Sequence, residues 1–198
     1  MAVAFAAFYI ILVQVNYDLN FNKGIKDSEK VFIMSSGSLD GADQRQINFC
    51  RPLAEVILQS SPNIEYGGVL NFTGAGTISL WKDNDGTRQE FSVDLTSASG
   101  TALKVAGFEA VAGSLDEVTF SNTLAVSETI AGKFGLEVGM QVFAEDSPCS
   151  IVAIYKDMPD NSHFKHVEAV HNIMDSGIDN YSEWGYQYLV KVYDPGQV

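Results

Sequence analysis

The run Ile78-Ser79-Leu80-Trp81-Lys82-Asp83-Asn84-Asp85-Gly86-Thr87-Arg88-Gln89-Glu90-Phe91-Ser92-Val93-Asp94-Leu95 decides the fold class. Ile78 and Leu80 alternate with Ser79 and Trp81, and Phe91, Val93 and Leu95 resume the period of two after Arg88-Gln89-Glu90. That is the pattern of strands with one face buried. Asp85-Gly86 lies between them, and both residue types tolerate the positive φ that a tight hairpin turn demands. The stretch predicts a β-hairpin.

Working outward, short apolar runs recur at 31–34, 103–111, 118–120, 124–126, 140–144 and 151–155, separated by Gly, Ser, Asn or Pro. Near the C-terminus Trp184, Tyr186, Tyr188, Val190 and Val192 alternate with Gln187 and Lys191, which predicts a strand. This spacing predicts a mainly β fold, a sandwich or a barrel. One or two short helices are expected beside it. Over 52–60, Pro52 suits a first turn and Leu53, Val56 and Ile57 fall at i, i+3 and i+4. Over 162–175, helical spacing gathers Phe164, Val167, Val170 and Met174 on one side, with Gly177 as a stop. No linker, low-complexity stretch or fixed-period repeat divides the chain, so 1–198 is expected as a single domain.

The chain has 198 residues, 46% of them hydrophobic, enough for a sizeable core without disulfide or metal help. It carries 12 Lys and Arg against 25 Asp and Glu, a formal charge of −13. Such a balance opposes non-specific binding to nucleic-acid phosphates, and no sequence-specific nucleic-acid binding is expected. Cys50 and Cys149 form no CxxC pair and are read as two buried free thiols, although spacing alone leaves a bridge open.

Residues 2–13 are continuously apolar. No Lys or Arg precedes them and no small-x-small cleavage site follows. The run is also shorter than the ~20 apolar residues of a spanning helix, so neither a signal peptide nor a membrane anchor is expected. Phe5, Phe8, Tyr9, Ile10, Ile11, Val13 and Val15 favour a buried strand over 3–15, while the Ala-rich start is compatible with a helix.

His163, His166 and His171 lie near Glu168. On a helix His163 and His171 stand about 12 Å apart along the axis, and His166 and His171 point roughly 140° apart, so only His163 and His166 share a face. HExxH is absent, and the histidines are read as structural. Asp83-Asn84-Asp85-Gly86 resembles part of a calcium loop, but Trp81 and Ser92 occupy the positions of the first and twelfth ligands, which leaves the hairpin turn. Thr73-Gly74-Ala75-Gly76-Thr77 lacks the third glycine and the lysine of a phosphate cradle. No G-x-S-x-G elbow occurs, and Asp116-Glu117, Glu145-Asp146 and Asp83/Asp85 are read as solvated turns. No catalytic residue, cofactor or metal is assigned. Tyr181, Trp184 and Tyr186 are candidate glycan or interface aromatics.

Ser121-Asn122-Thr123-Leu124-Ala125-Val126, then Gly135-Leu136-Glu137-Val138-Gly139-Met140-Gln141-Val142, then Ser150-Ile151-Val152-Ala153-Ile154 resembles a β segment of tailed-bacteriophage structural proteins. Leu136, Val138, Met140 and Val142 would form one apolar strand face, with Ile151, Ala153 and Tyr155 pairing against it. The resemblance implies a non-enzymatic virion subunit, either a head decoration (capsid cement) protein or a tail or tail-tube protein. Its expected partners are copies of itself and other virion proteins, with no membrane, and its expected location is the virion. Phe5, Phe8, Tyr9 and Ile11 are then the candidate assembly contacts. The competing expectation is a carbohydrate-binding or adhesive β module.

Overall fold

A computed structural model describes residues 2–37, 45–120, 122–144, 147–173 and 176–198, apart from the side chains of 2–4 and 72–75. Ser121, the Glu145-Asp146 pair and Met174 lie outside the described residues. The elements in chain order are α1 (Ala2–Leu19), β1 (Val31–Ile33), α2 (Arg51–Ser60), β2 (Ile64–Asn84), β3 (Thr87–Ala98), α3 (Gly100–Val105), β4 (Ala110–Gly113), β5 (Thr123–Ser127), α4 (Glu128–Phe134), β6 (Gln141–Ala144), β7 (Ser147–Tyr155), β8 (Ala169–Asn172) and β9 (Gln187–Val192).

The fold is mainly β, as the alternation predicts, and its centre is a barrel. The hairpin of β2 and β3 closes in the expected two-residue turn. Asn84 pairs Thr87, Asp85 and Gly86 have φ of 52° and 80°, and the Gly86 N–H donates to Asp83 Oδ1 at 2.7 Å. From β3 the ladder passes to β8 (parallel), β5, β7 (parallel) and β6, and β6 returns to β2, so six strands close a ring. Its interior holds Leu80, Phe91, Val93, Leu124, Val126, Val142, Ile151 and Ala169. Each such burial contributes roughly 1.5–3 kcal/mol. α4 packs into the same core through Ile130 and Ala131, and its Phe134 stacks on Phe91 at 4.5 Å. The Lys82 ammonium donates to the carbonyls of Phe134 and Gly135, placing a cation on the negative end of α4.

The first half of β2, set off from the barrel half by a register shift between Asn71 and Gly76, pairs along its length with β9, which pairs with β1, and meets β3 at Leu70 and Asn71. Helices cover both faces of this extension. Val69, Tyr186 and Tyr188 form a core with Ala54 of α2, while Leu70 and Leu189 join Ala102, Leu103 and Val105 of α3. The Gly67-Gly68 pair permits both approaches. A Cβ on Gly68 would lie 2.3 Å from the backbone N of Ala102, and one on Gly67 would lie 2.6 Å from the Leu58 side chain.

Four sequence expectations are corrected here. The N-terminal segment is a helix, not a buried strand: its alanines and aliphatics satisfy their backbone internally, and the described side chains at its apolar end lie exposed. The helix expected over 162–175 is absent. Residues 162–167 form turns and 169–172 form β8, because Val170 packs into the core behind the barrel and the backbone pairs with β3 and β5. The runs at 103–111 and 118–120 do not form the strands expected of them as a whole. Ser99 and Ser127 cap α3 and α4, accepting from the N–H of Ala102 and Ile130. Residues 136–140 are irregular, and the strand after them begins at Gln141. Val142 pairs Cys149, whereas Ile151, Ala153 and Tyr155 pair β5. The helix expected over 52–60 is present as α2.

Candidate functional site

Two features stand out: an apolar helix without a covering layer, and a cavity in the barrel wall. α1 bears Phe5, Phe8, Tyr9 and Ile11 at 58% to 72% exposure, and Ile10, Leu12 and Val13 are exposed beside them. From Phe5 to Val13 every side chain is apolar, so the apolar surface runs all round the helix there. A helix apolar all round lies in a protein core or among lipid. At 1.5 Å per residue the whole of α1 is about 27 Å long, its 18 residues including Gln14, Asn16 and Asp18 at the far end. No helix among the described residues is long and apolar enough to cross a membrane.

The polar end of α1 is fastened to the body by asparagines. Asn22 N–H donates to the Asn161 carbonyl at 2.8 Å, Asn161 Nδ2 donates to the Asn20 carbonyl at 2.7 Å, and His163 N–H donates to Asn22 Oδ1 at 3.0 Å. The Tyr17 hydroxyl donates to the Asp160 carbonyl at 2.7 Å. A little further on, Lys191 pairs with Asp27 at 2.8 Å and holds that carboxyl below its ordinary range. The joint is therefore defined while the apolar half of α1 projects from it.

The C-terminal aromatics do not form one platform. Tyr181 and Trp184 are exposed, with Trp184 Nε1 donating to the Tyr181 carbonyl at 3.0 Å. Tyr186 is 2% exposed, sits in the core beneath α2 and hydrogen-bonds Ser176 Oγ and Glu183 Oε1. His163 and His166 stand in turns, while His171 sits on β8 and shares a 2.6 Å hydrogen bond with Ser97 Oγ on β3. No group of three His, Cys, Asp or Glu among the described residues is placed to hold a metal. Cys50 and Cys149 are both free thiols, the first buried and the second half-buried.

Cys149 and His171 meet at the second feature. The ladder between β2 and β6 is two pairs long, Leu80 with Ala144 and Trp81 with Phe143. Beside this short seam the barrel wall opens on a cavity of about 620 Å³, walled by Ile78, Leu80, Leu95, Leu124 and Ala144. Cys149 and His171 contribute the titratable groups of the lining among the described residues. Burial pushes the Cys149 thiol up and the His171 imidazole down, so both favour the neutral form. Sequence reasoning missed this site. Six strands supply its lining, and Cys149 and His171 carry no motif that joins them.

With this geometry in place the chain can be set beside known proteins. No family model and no curated protein matches the sequence. Three solved domains share its fold. A domain of a protein described as a permease, from Porphyromonas gingivalis, has a TM-score of 0.69 at 19% identity, over 83% of this chain and 75% of that one. The periplasmic region of MacB from Actinobacillus actinomycetemcomitans has a TM-score of 0.57 at 14% identity, over 87% and 78%. The extracellular domain of the noncanonic ABC-type transporter YknZ from Gram-positive bacteria has a TM-score of 0.54 at 12% identity, over 83% and 84%. This likeness overturns the virion reading. The architecture resembles domains of a permease and of transporters, and none of these three is a capsid or tail subunit. The virion location falls with it, since the MacB and YknZ domains are periplasmic and extracellular. Of the apolar residues in the segment that resembles the phage proteins, Leu124, Val126, Leu136, Val142 and Ile151 are core positions of this fold, whereas Val138 is exposed.

Proposed function

We propose that the chain is an extracytoplasmic domain of an ABC-type transporter or permease of the bacterial envelope, held at the membrane by α1 and working through protein contacts rather than catalysis. The observation that carries the reading is the architecture shared over 83% to 87% of the chain with a domain of a protein described as a permease, the periplasmic region of MacB and the extracellular domain of the ABC-type transporter YknZ. The exposed apolar wall of α1 supports it, because a lipid layer is the environment in which Phe5, Phe8, Tyr9 and Ile11 are stable. The reading gives α1 a membrane where the sequence alone led us to expect none, and replaces virion proteins with the transporter's own subunits as partners.

Topology in cells tests it. Ser92 faces solvent on β3, so Ser92→Cys in a Cys149→Ser background offers one accessible thiol, Cys50 being buried. In spheroplasts producing the full-length protein, a membrane-impermeant maleimide is expected to label Ser92→Cys without lysis, and the labelled protein to sediment with membranes. Labelling only after lysis overturns the proposal.

A further inference from the structure

The cavity beside the β2–β6 seam has the size and lining of a small-molecule pocket. Its volume of about 620 Å³ is within the range of small-molecule pockets, ~300–1,000 Å³. At ~30 Å³ per water-sized group it accommodates a chain of roughly ten or more methylenes with a small head group. Its walls are aliphatic, from Ile78, Leu80, Leu95, Leu124 and Ala144. The described lining contains no Lys or Arg to balance a carboxylate and no Asp or Glu to balance an ammonium. Burying an unpaired charge there carries a large desolvation cost. The hydroxyls of Thr77, Ser79 and Ser147 also line the cavity, as does one imidazole. His171 lies at the edge of the apolar wall, oriented by its 2.6 Å hydrogen bond to Ser97 across the β3–β8 ladder. Together these polar groups can hold a hydroxyl or carbonyl oxygen.

From this we infer that the barrel cavity binds an uncharged aliphatic amphiphile, its chain between Ile78, Leu95 and Leu124 and its single oxygen toward the polar groups of the lining, Thr77, Ser79, Ser147 and His171. The site is separate in the chain from α1 and independent of the transporter reading. Cys149, on the rim, reports on it directly.

The test is the rate at which N-ethylmaleimide modifies Cys149 in the intact protein, read by peptide mass spectrometry with and without 1-decanol. Decanol is expected to slow modification at least fivefold and saturably, and decanoate to do so far less. Ala144→Phe fills the cavity, and protection by decanol is expected to disappear at an unchanged unfolding midpoint. Because Ala144→Phe also lies near the thiol, Leu95→Trp on the opposite wall provides a second filled variant with the same expected loss. Phe8→Asp with Ile11→Asp, which alters only α1, is expected to leave protection intact. Decanol binding without protection of Cys149, equal protection by decanoate, or protection that survives both filling variants overturns the inference.

Discussion

His171 shows how one residue changes meaning between sequence and structure. As one of three histidines in a supposed helix it invited a metal reading. On β8 it is instead half-buried at the cavity edge and bonded to Ser97. Burial lowers its pKa from the ordinary 6.5, with a smaller opposing effect from a backbone hydrogen bond at Asn172. In the unfolded chain the imidazole takes up its proton near pH 6.5, in the folded chain only at lower pH. Between the two the unfolded state binds more protons, so this group's contribution to stability is complete above about pH 6.5 and is lost as pH falls. Urea midpoints measured between pH 7.5 and the onset of acid unfolding are expected to fall less steeply for His171→Gln than for the natural protein. Parallel slopes would mean that the imidazole titrates alike in both states.

At the scale of elements, helix placement depends on small residues in strands. α3 lies against β2 because Gly68 presents no side chain there. Gly68→Ala forces a Cβ against the Ala102 backbone, which cannot rotate away, and is expected to cost about 2–3 kcal/mol in urea unfolding. Gly132→Ala is the contrasting case. Nothing lies within 4 Å of a Cβ at that position in α4, and an alanine in a helix interior is expected to stabilise by roughly 0.5–1 kcal/mol. The signals for α3 and α4 were present in the sequence, in Ser99 and Ser127 as caps, Glu128 in a first turn and Gly135 as a stop. With seven residues or fewer, neither helix has enough turns for its periodicity to stand out from the alternation around it. The 162–175 stretch erred the other way, since a helical spacing of Phe164, Val167 and Val170 is also what turns followed by a strand can produce when both faces are buried.

For the whole molecule, charge and apolarity are separated. The chain carries −13, while residues 2–13 of α1 bear no charged side chain. Any attachment to lipid must come from apolar transfer, worth roughly 1.5–3 kcal/mol for each large side chain that leaves water, and not from attraction to phosphate. The full-length protein is expected to float with phosphatidylcholine vesicles, to bind less well when anionic phosphatidylglycerol is added, and to recover with salt, which screens the repulsion. Phe8→Asp with Ile11→Asp is expected to abolish flotation on every composition. Binding that strengthens with anionic lipid would contradict this account.

The β class, the turn at Asp85-Gly86, α2 and the final strand were legible because each depends on neighbours within a few residues: a period of two, a dipeptide tolerant of positive φ, a proline in a first turn. Closure of β2, β3, β8, β5, β7 and β6 into a ring was not legible, because parallel pairing joins segments dozens of residues apart and hydrophobic alternation is the same for a sandwich as for a barrel. The N-terminal segment is a helix where its sequence favours a buried strand, for a related reason: an apolar run is compatible with either until the rest of the chain covers it or leaves it uncovered. The cavity belongs wholly to tertiary structure. Ile78, Leu124, Ala144 and His171 become neighbours only when the barrel closes, and the short β2–β6 seam leaves the opening between them.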